Sequence, residues 1–169
     1  KEGDVKLAQQ FKSLKDAVQA WRNALVAASP APAGDLFAGA ATVSITPDRP
    51  VALWGQMHTR VSTGVASPVT ATVLILESRD GERSLGATTF VACDVVAIPD
   101  DALAAIRTRV AESIPDFPVE RIVASATHTH TAPVLLEGVY DIPAAGVMQP
   151  AAYVDFFAER VAEGIRTAW

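Results

Sequence analysis

A strand, a helix and a second strand follow one another along the chain, and this succession constrains the fold more than any other feature. The first strand, over 84–95, is almost wholly apolar near its end. Pro99 and two aspartates open the helix, because proline fits its first turn and acidic groups suit its positive end. Pro115 ends the helix, and a second apolar strand covers 119–126. This pattern predicts two parallel strands joined by a right-handed crossover, a βαβ unit.

Five further segments extend this unit. A strand over 38–45 ends at a Thr-Pro pair, and β-branched residues predict another strand over 69–77. Turn residues at 79–82 predict a hairpin that leads into the βαβ unit. Residues 50–67 lack a regular period and predict a long loop, and long ordered loops often carry function. Apolar residues at helical spacing predict a last helix from Pro150 to the end.

The first 28 residues differ chemically from the rest, because every lysine lies within residues 1–15. Apolar residues at alternating spacings of four and three predict an amphipathic helix with a heptad stripe, formed by Leu7, Phe11, Leu14, Val18, Trp21 and Leu25. The stripe suits packing on the helix's own domain or helix-mediated association with a partner through residues 7–25. A linker rich in alanine and proline then separates domains 1–34 and 35–169. The predicted fold class is α/β: a mixed sheet with a βαβ unit, flanking helices and this N-terminal amphipathic helix.

Composition excludes several classes of protein. The residues are 50% hydrophobic and 20% charged, which is incompatible with a disordered chain. The net charge of −5 argues against nucleic acid as the main partner, since phosphate contacts need a basic surface. The single cysteine, Cys93, cannot form an internal disulfide. No apolar run reaches the roughly 18–20 residues that span a bilayer. Because the sequence opens at Lys1 and stops at Trp169 inside a predicted helix, we expect a part of a longer polypeptide.

Polar side chains follow both strands of the βαβ unit. Asp94 ends the first strand, and His128 and His130 follow the second in the run Thr-His-Thr-His-Thr-Ala-Pro. In open α/β sheets, ligands bind at the carboxyl ends of the parallel strands. If the two strands are neighbours, one carboxylate and two of the chain's 3 histidines share one rim.

The His-x-His pair suits metal chemistry. Residues i and i+2 of an extended segment face the same side, neutral imidazole is a good zinc ligand, and a nearby carboxylate can fix its tautomer. We therefore favour a metal or catalytic site over two loop histidines without a chemical role. Thr131 and Ala132 follow the pair, whereas the metallo-β-lactamase pattern continues with Asp-His. Amidohydrolase barrels carry their pair on the first strand, which also counts against that class.

Two polar residues of the long loop extend this hypothesis. His58 and Arg60 could bring a general acid and an anion clamp to the rim, and a merely solvent-exposed loop is the equal alternative. Glycine-rich phosphate motifs and the Gly-x-Ser-x-Gly elbow do not occur in the sequence. Cys93 lies in an apolar strand and is expected to be a core residue, not a nucleophile.

Together these motifs resemble the neutral/alkaline, non-lysosomal ceramidase family. The strongest element is Ser-Ala-Thr-His-Thr-His-Thr-Ala-Pro at 125–133. It resembles the family's Ser-Ala-Thr-His-Thr-His-Ser-Gly-Pro signature, with Thr131 and Ala132 in place of serine and glycine. The opening strand at 39–47, a glycine-containing loop and a strand that ends in aspartate precede it in the family's order. The resemblance covers residues 38–169.

The resemblance implies a zinc-dependent amidase that cleaves the N-acyl bond of ceramide or a related lipid amide. By the family pattern, His128 would ligate Zn²⁺, and His130 would lie beside it and hydrogen-bond the reacting groups. Bound zinc would lower the pKa of a water molecule and polarise the amide carbonyl. Asp94, His58 and Arg60 are candidates to support the ligands or to line a substrate loop.

The family's remaining zinc ligands, and a serine important to its catalysis, come well after the signature. The resemblance therefore implies that residues 35–169 are the N-terminal part of a hydrolytic domain, inactive as this chain alone. Downstream polypeptide or a partner chain would complete the site, and a secreted or periplasmic location is implied. An alternative of another class is a non-catalytic interaction or assembly module that keeps the family fold and docks through the heptad helix.

Overall fold

The computed structural model describes Lys12 and residues 15–20, 22–23 and 34–169. The chain separates into two compact units, Lys1–Gly34 and Asp35–Trp169. In the first unit Lys12 and residues 15–20 and 22–23 are helical, and the side chain of Val18 is exposed. The other residues of the predicted heptad stripe lie outside the described residues: Leu7, Phe11, Leu14, Trp21 and Leu25.

The second unit is built on one sheet with helices. Its elements, in chain order, are β1 (Asp35–Ser44), β2 (Thr70–Asp80), β3 (Arg83–Cys93), α1 (Asp100–Ser113), a 3-10 turn (Val119–Arg121), β4 (Ile122–Ala126) and α2 (Pro150–Ala168). The strands lie in the order β1-β2-β3-β4. β1, β2 and β3 pair antiparallel, and β3 pairs parallel with β4. The predicted α/β class, with a mixed sheet and a βαβ unit, is confirmed.

Local signals account for the ends of these elements. Gly81 turns the β2–β3 hairpin at a φ of 61°, a backbone region that glycine adopts without steric cost. Pro99 caps α1 one residue before its first turn, and the two aspartates occupy that turn as predicted. Pro150 is the first residue of α2. β4 begins at Ile122, later than predicted, because the residues before it form the 3-10 turn.

One face of the sheet carries the hydrophobic core. Val73 of β2 and Val91 of β3 point to this face and are buried. They share one cluster with Ile106 of α1 and with Phe157 and Ile165 of α2. The helices thus cover a single face of the sheet, and burial of their apolar side chains is the main force that holds the two layers together.

Two titratable groups are enclosed in this core. Cys93 is fully buried, and burial raises the pKa of its thiol to about 12. Tyr153 is also buried, and burial raises the pKa of its phenol. The phenol donates a hydrogen bond of 2.9 Å to the Ile45 carbonyl oxygen, which satisfies its polar group inside the core. The prediction that Cys93 is a core residue is consistent with this position.

The opposite face of the sheet is open. Phe90 is 45% exposed and Val123 is 52% exposed, although both lie in strands whose apolar runs indicated burial. β3 is an inner strand as predicted, whereas β4 lies at the edge of the sheet. An apolar run shows that a strand is suited to burial on both faces, but it does not show which polypeptide covers each face.

Within Lys12, 15–20, 22–23 and 34–169, no helix has both the length and the apolar character that a membrane crossing needs.

An ion pair at the hairpin end of the sheet makes the stability sensitive to acid. Nε of Arg79 donates a hydrogen bond of 2.7 Å to Oε2 of the buried Glu77. Nη2 of Arg79 forms an ion pair with the same oxygen, also at 2.7 Å. The hydrogen bond from Arg79 lowers the pKa of the Glu77 carboxyl below its ordinary value of 4.5, although burial opposes this effect. A carboxyl with a lowered folded pKa stabilises the fold above its unfolded pKa, and this contribution is lost as pH falls through the folded pKa.

We therefore expect Glu77→Gln to lower the free energy of unfolding at pH 7 and to leave it nearly unchanged at a pH below the folded pKa of Glu77. Urea unfolding at both pH values measures the effect. Glu82→Gln, at an exposed position of the same hairpin, is the matched control and should change neither value. An equal loss of stability for Glu77→Gln at both pH values would contradict the assignment of this pair to acid sensitivity.

Candidate functional site

The candidate site lies where β3 and β4 end side by side. Because these strands are parallel neighbours, Asp94 after β3 and Thr127 after β4 meet at one edge of the sheet. The backbone pairing continues past the strand ends. The amide of Thr127 donates to the last carbonyl of β3 (2.9 Å), and the amide of His128 donates to the Val95 carbonyl (3.0 Å). These bonds fix the start of residues 127–131, here called the histidine turn.

His128 has a left-handed backbone, with a φ of 62°, which is uncommon outside glycine. The chain therefore turns at this residue and does not continue as the extended segment that the i, i+2 argument assumed. Nδ1 of His128 lies 2.7 Å from the Val96 carbonyl oxygen. A carbonyl oxygen only accepts hydrogen bonds, so Nδ1 carries a proton, and in the neutral imidazole Nε2 keeps its lone pair. This arrangement leaves Nε2 of His128 able to bind a metal ion.

The two imidazoles come together despite the turn. The ring centroids of His128 and His130 lie 5.0 Å apart, and the ring planes meet at 71°. Both residues are exposed. The sequence predicted that both rings would reach one place, and the structure achieves this by a left-handed turn and not by strand alternation. The chemical role of each histidine stays a prediction.

Asp94 connects the histidine turn to β2. Its Oδ2 accepts hydrogen bonds from the amide and the hydroxyl of Thr70, each at 2.9 Å. Its Oδ1 accepts from the hydroxyl of Thr127 at 3.2 Å. The tautomer of His128, expected to be fixed by a carboxylate, is fixed instead by the Val96 carbonyl. Asp94 therefore ties Thr127, the first residue of the histidine turn, to Thr70 at the start of β2.

Residues 51–62, here called the Gly55 loop, pack beside the histidine turn. The loop folds back on itself, with a hydrogen bond of 2.8 Å from the Leu53 amide to the Arg60 carbonyl. It also pairs with the segment that follows the turn, since the Trp54 amide donates to the Ala132 carbonyl at 3.0 Å. The long loop predicted from the sequence is thus an ordered part of the site.

Gly55 lies directly against the ring of His130. Its φ is 91°, and a Cβ placed on it would lie 2.5 Å from Cγ and Nδ1 of His130. Glycine is needed here for two independent reasons, since a side chain would strain the backbone and collide with the imidazole. The absence of a side chain at Gly55 therefore makes room for the observed position of His130.

The other two candidate residues of the loop are placed differently. Nη2 of Arg60 donates to the His130 carbonyl oxygen at 3.0 Å, and its Nε is buried without a partner among the described residues. His58 is exposed, and no hydrogen bond within the described part of the chain joins its ring to the histidine turn. The structure thus brings Arg60 to the histidine pair and leaves His58 at the surface.

Sequence reasoning missed Val96 and Tyr140. The hydroxyl of Tyr140 donates to the Gln56 carbonyl at 2.7 Å and accepts from the Gln56 amide at 3.0 Å, which braces the Gly55 loop. These contacts join residues 84 apart, and the Val96–His128 contact joins residues 32 apart. Such distant pairings leave no local signal. Gly55 was a usable signal, because a glycine in an irregular segment often marks a close approach of the backbone to another group.

The residues present fit part of a zinc site. A neutral imidazole with Nδ1 bonded to a carbonyl and Nε2 bare is the usual form of a zinc-binding histidine. Within Lys12, 15–20, 22–23 and 34–169, however, no three His, Cys, Asp or Glu side chains come together as metal ligands. A structural or catalytic zinc needs three or four protein ligands. The histidine pair thus supplies at most two of them.

The fold of this chain resembles part of a solved enzyme structure, although its sequence matches no known family profile. No protein-family profile matches the chain, and no curated protein matches it. Among solved structures, the neutral ceramidase from Pseudomonas aeruginosa matches 80% of this chain with a TM-score of 0.66 and 18% sequence identity. The chain is similar in fold to neutral ceramidase. A structure of ceramidase complexed with C2 matches the same 80% share, with a TM-score of 0.60 and 18% identity.

These matches confirm, at the level of the fold, the ceramidase resemblance predicted from the motifs. The chain covers 21% of the length of each of the two ceramidase chains. The similarity therefore concerns about a fifth of a ceramidase, and it concerns the fold alone. The activity of the whole ceramidase does not pass to this chain by this similarity.

Proposed function

We propose that this chain is part of a zinc-dependent amide hydrolase that cleaves the N-acyl bond of a ceramide-like lipid. The observation that carries the proposal is the hydrogen bond from Nδ1 of His128 to the Val96 carbonyl. It leaves Nε2 of His128 bare beside His130, at the carboxyl ends of two parallel strands. The ceramidase fold supports an amidase over other hydrolases with a His-x-His pair.

Each residue of the site has a distinct part in this proposal. Nε2 of His128 would ligate zinc, and the Val96 carbonyl fixes the ring and makes Nε2 a stronger ligand. His130 would hydrogen-bond the reacting groups of the amide. Asp94 holds Thr127, just before the pair, and Arg60 holds the His130 carbonyl. When bound, zinc would lower the pKa of a water molecule and polarise the amide carbonyl.

The proposal includes a source for the remaining ligands. Two histidines fall short of a tetrahedral zinc site, so further ligands would come from downstream polypeptide or from a partner chain. The 169-residue chain would then bind zinc weakly and have no amidase activity alone. Both the proposed ceramide-like substrate and the proposed zinc cofactor therefore require these further ligands.

A second candidate is a non-catalytic assembly module that keeps the fold. The open face of the sheet, with Phe90 and Val123 exposed, favours a role in association. This candidate gives no physical reason for the orientation of His128, whose left-handed backbone costs about 1–2 kcal/mol. Zinc binding separates the two candidates, because replacing His128 would leave the zinc affinity of a module without a metal function unchanged.

The test is zinc titration of the chain by calorimetry, with His128→Ala as the variant. We expect the variant to lose about tenfold or more in zinc affinity, because it removes the proposed ligand. His58→Ala, which removes the one histidine outside the pair, is the control and should bind zinc as the original chain does.

A nuclear magnetic resonance measurement of the His128 tautomer gives an independent readout. The proton is expected on Nδ1 before zinc is added, with Nε2 shifting on zinc addition. The proposal fails if His128→Ala binds zinc with unchanged affinity, or if the zinc-induced shift falls on His58 alone. In a complete ceramidase-like enzyme made from the natural gene, His128→Ala should abolish amide hydrolysis.

A further inference from the structure

The open face of the sheet has an unusual composition. Its central row crosses all strands and consists of Ala40, Leu74, Phe90 and Val123, which pair in register. Leu74 is 40% exposed, Phe90 45% and Val123 52%. The face consists of the even-numbered residues of β1, β2 and β3 and the odd-numbered residues of β4. Within residues 36–44, 70–78, 86–92 and 123–125, the residues of this face are apolar or carry small hydroxyl groups, and none is charged.

A sheet face that contacts water normally carries charged and long polar side chains. Strands about 4.8 Å apart, with about 8 residues each at about 3.3 Å per residue, give this face an area of roughly 500 Å². The largest apolar patch on a protein surface is typically about 300–600 Å² and is often functional. The helices α1 and α2 cover the other face, so the open face is the side on which a further layer would pack.

We propose that the open sheet face is the docking surface for another layer of the same hydrolase, formed by polypeptide that lies outside these 169 residues. The inference rests on the proposed function, in which the site is completed by further polypeptide. Each matched ceramidase chain is about five times as long as the part similar to this chain, since the match covers 21% of it. The occupant is thus an uncharged, apolar face of regular secondary structure belonging to that longer chain.

The location of the face supports this choice of occupant. The row next to the central one contains Thr72, Ala92 and Ser125, which pair in register. Ser125 lies two residues before the histidine turn. A layer packed on the open face would therefore reach the end of the sheet where the proposed zinc ligand begins, so one added segment would both bury the face and lie close to the incomplete site.

A second copy of this chain is a less suitable occupant. Two faces of roughly 500 Å² would bury about 1,000 Å² together, which is at the lower limit for a stable protein interface. Face-to-face pairing of two copies would also leave each histidine pair with the same two ligands. A stable dimer is therefore treated as an outcome that overturns the proposal.

The test compares the effect of one charge in two contexts. Val123→Lys is made in the 169-residue chain and, separately, at the chromosomal locus of the source gene, so that the second protein has its natural length. In the isolated chain, lysine should reduce binding of the dye ANS, which reports exposed apolar surface, and raise the soluble yield. In the natural protein, lysine would be buried without a partner, and its soluble amount should fall several-fold.

Val65→Lys is the matched control, because Val65 is 61% exposed and lies in a loop outside the sheet. It should leave ANS binding and soluble amount unchanged in both contexts. Leu74→Lys, in the centre of the face, should repeat both effects of Val123→Lys. It should reduce ANS binding in the isolated chain and lower the soluble amount of the natural protein. These readouts involve no metal, so they can fail while the zinc titration succeeds, and the reverse also holds.

Four results would overturn the proposal. The first is a natural protein that tolerates lysine at position 123 as well as at position 65. The second is a loss of solubility in the isolated chain, which would mean that the face is already covered within the 169 residues. The third is a natural product of 169 residues, measured by mass spectrometry. The fourth is a stable dimer in sedimentation that Val123→Lys dissociates, which would make a second copy the occupant.

Discussion

Replacing Gly55 by alanine is expected to move the imidazole of His130 away from His128. Two effects combine, because the left-handed backbone costs about 1 kcal/mol for alanine and the new Cβ would lie 2.5 Å from ring atoms of His130. His130 is exposed, so the ring can swing into solvent and relieve the collision. We expect a loss of about 1–2 kcal/mol in the free energy of unfolding, together with changed imidazole signals of His130 in nuclear magnetic resonance spectra.

The chain provides a control that separates these two effects. Gly138 also has a positive φ, of 74°, but no atom lies within 4 Å of the position its Cβ would take. Gly138→Ala should therefore show the backbone cost alone, with the signals of His130 unchanged. If Gly55→Ala left the His130 signals in place, the close approach of loop and ring would be wrong. In a complete hydrolase, the same displacement should lower activity with less effect on zinc binding than His128→Ala.

Replacing Gly39 by alanine is expected to give the larger loss of stability. The added Cβ would overlap the carbonyl oxygen of Ala168, in the last turn of α2, and would lie 2.9 Å from its carbonyl carbon. Both atoms belong to the backbone, so relief requires the end of α2 to move away from β1. Overpacking of this kind costs about 1–3 kcal/mol. Urea unfolding measures the loss, and Gly64→Ala is the control, because its Cβ would meet no atom within 4 Å.

A local reporter shows whether the end of α2 moves as expected. Trp169 follows the helix, and its ring packs edge-on against Phe117, with centroids 5.1 Å apart. Movement of Ala168 should break this contact and shift the indole signal of Trp169. A Gly39→Ala variant that unfolds at the same urea concentration as the Gly64→Ala control, with an unchanged Trp169 signal, would contradict the packing described for α2 against β1.

The topology was predictable because its signals are local or depend on sequence order. Apolar runs marked the strands, Pro99 and Pro150 marked the helix starts, and Gly81 marked the hairpin. The βαβ pattern predicted that β3 and β4 are parallel, but it left open whether they are neighbours. The structure shows that they pair directly, and this pairing brings Asp94 and the histidine pair to one edge of the sheet.

The details of the site were less predictable, because they depend on contacts between distant segments. No sequence pattern indicates that His128 adopts a left-handed backbone, or that the Val96 carbonyl and not Asp94 bonds its Nδ1. The exposure of Phe90 was missed for another reason. An apolar residue such as Phe90 indicates that its surface is suited to burial. It does not indicate which polypeptide covers that surface.

The burial of Cys93 makes the folded protein a convenient host for spectroscopic labels. Only thiolate reacts with maleimides at a useful rate, and the raised pKa and full burial of Cys93 keep it as an unreactive thiol. The sequence contains 1 cysteine, so a second cysteine at an exposed position would take the label alone. Ser125 lies beside the histidine turn and on the open face. A spin label at this position would report distances to the turn and to any group packed on the face, without removal of the native cysteine.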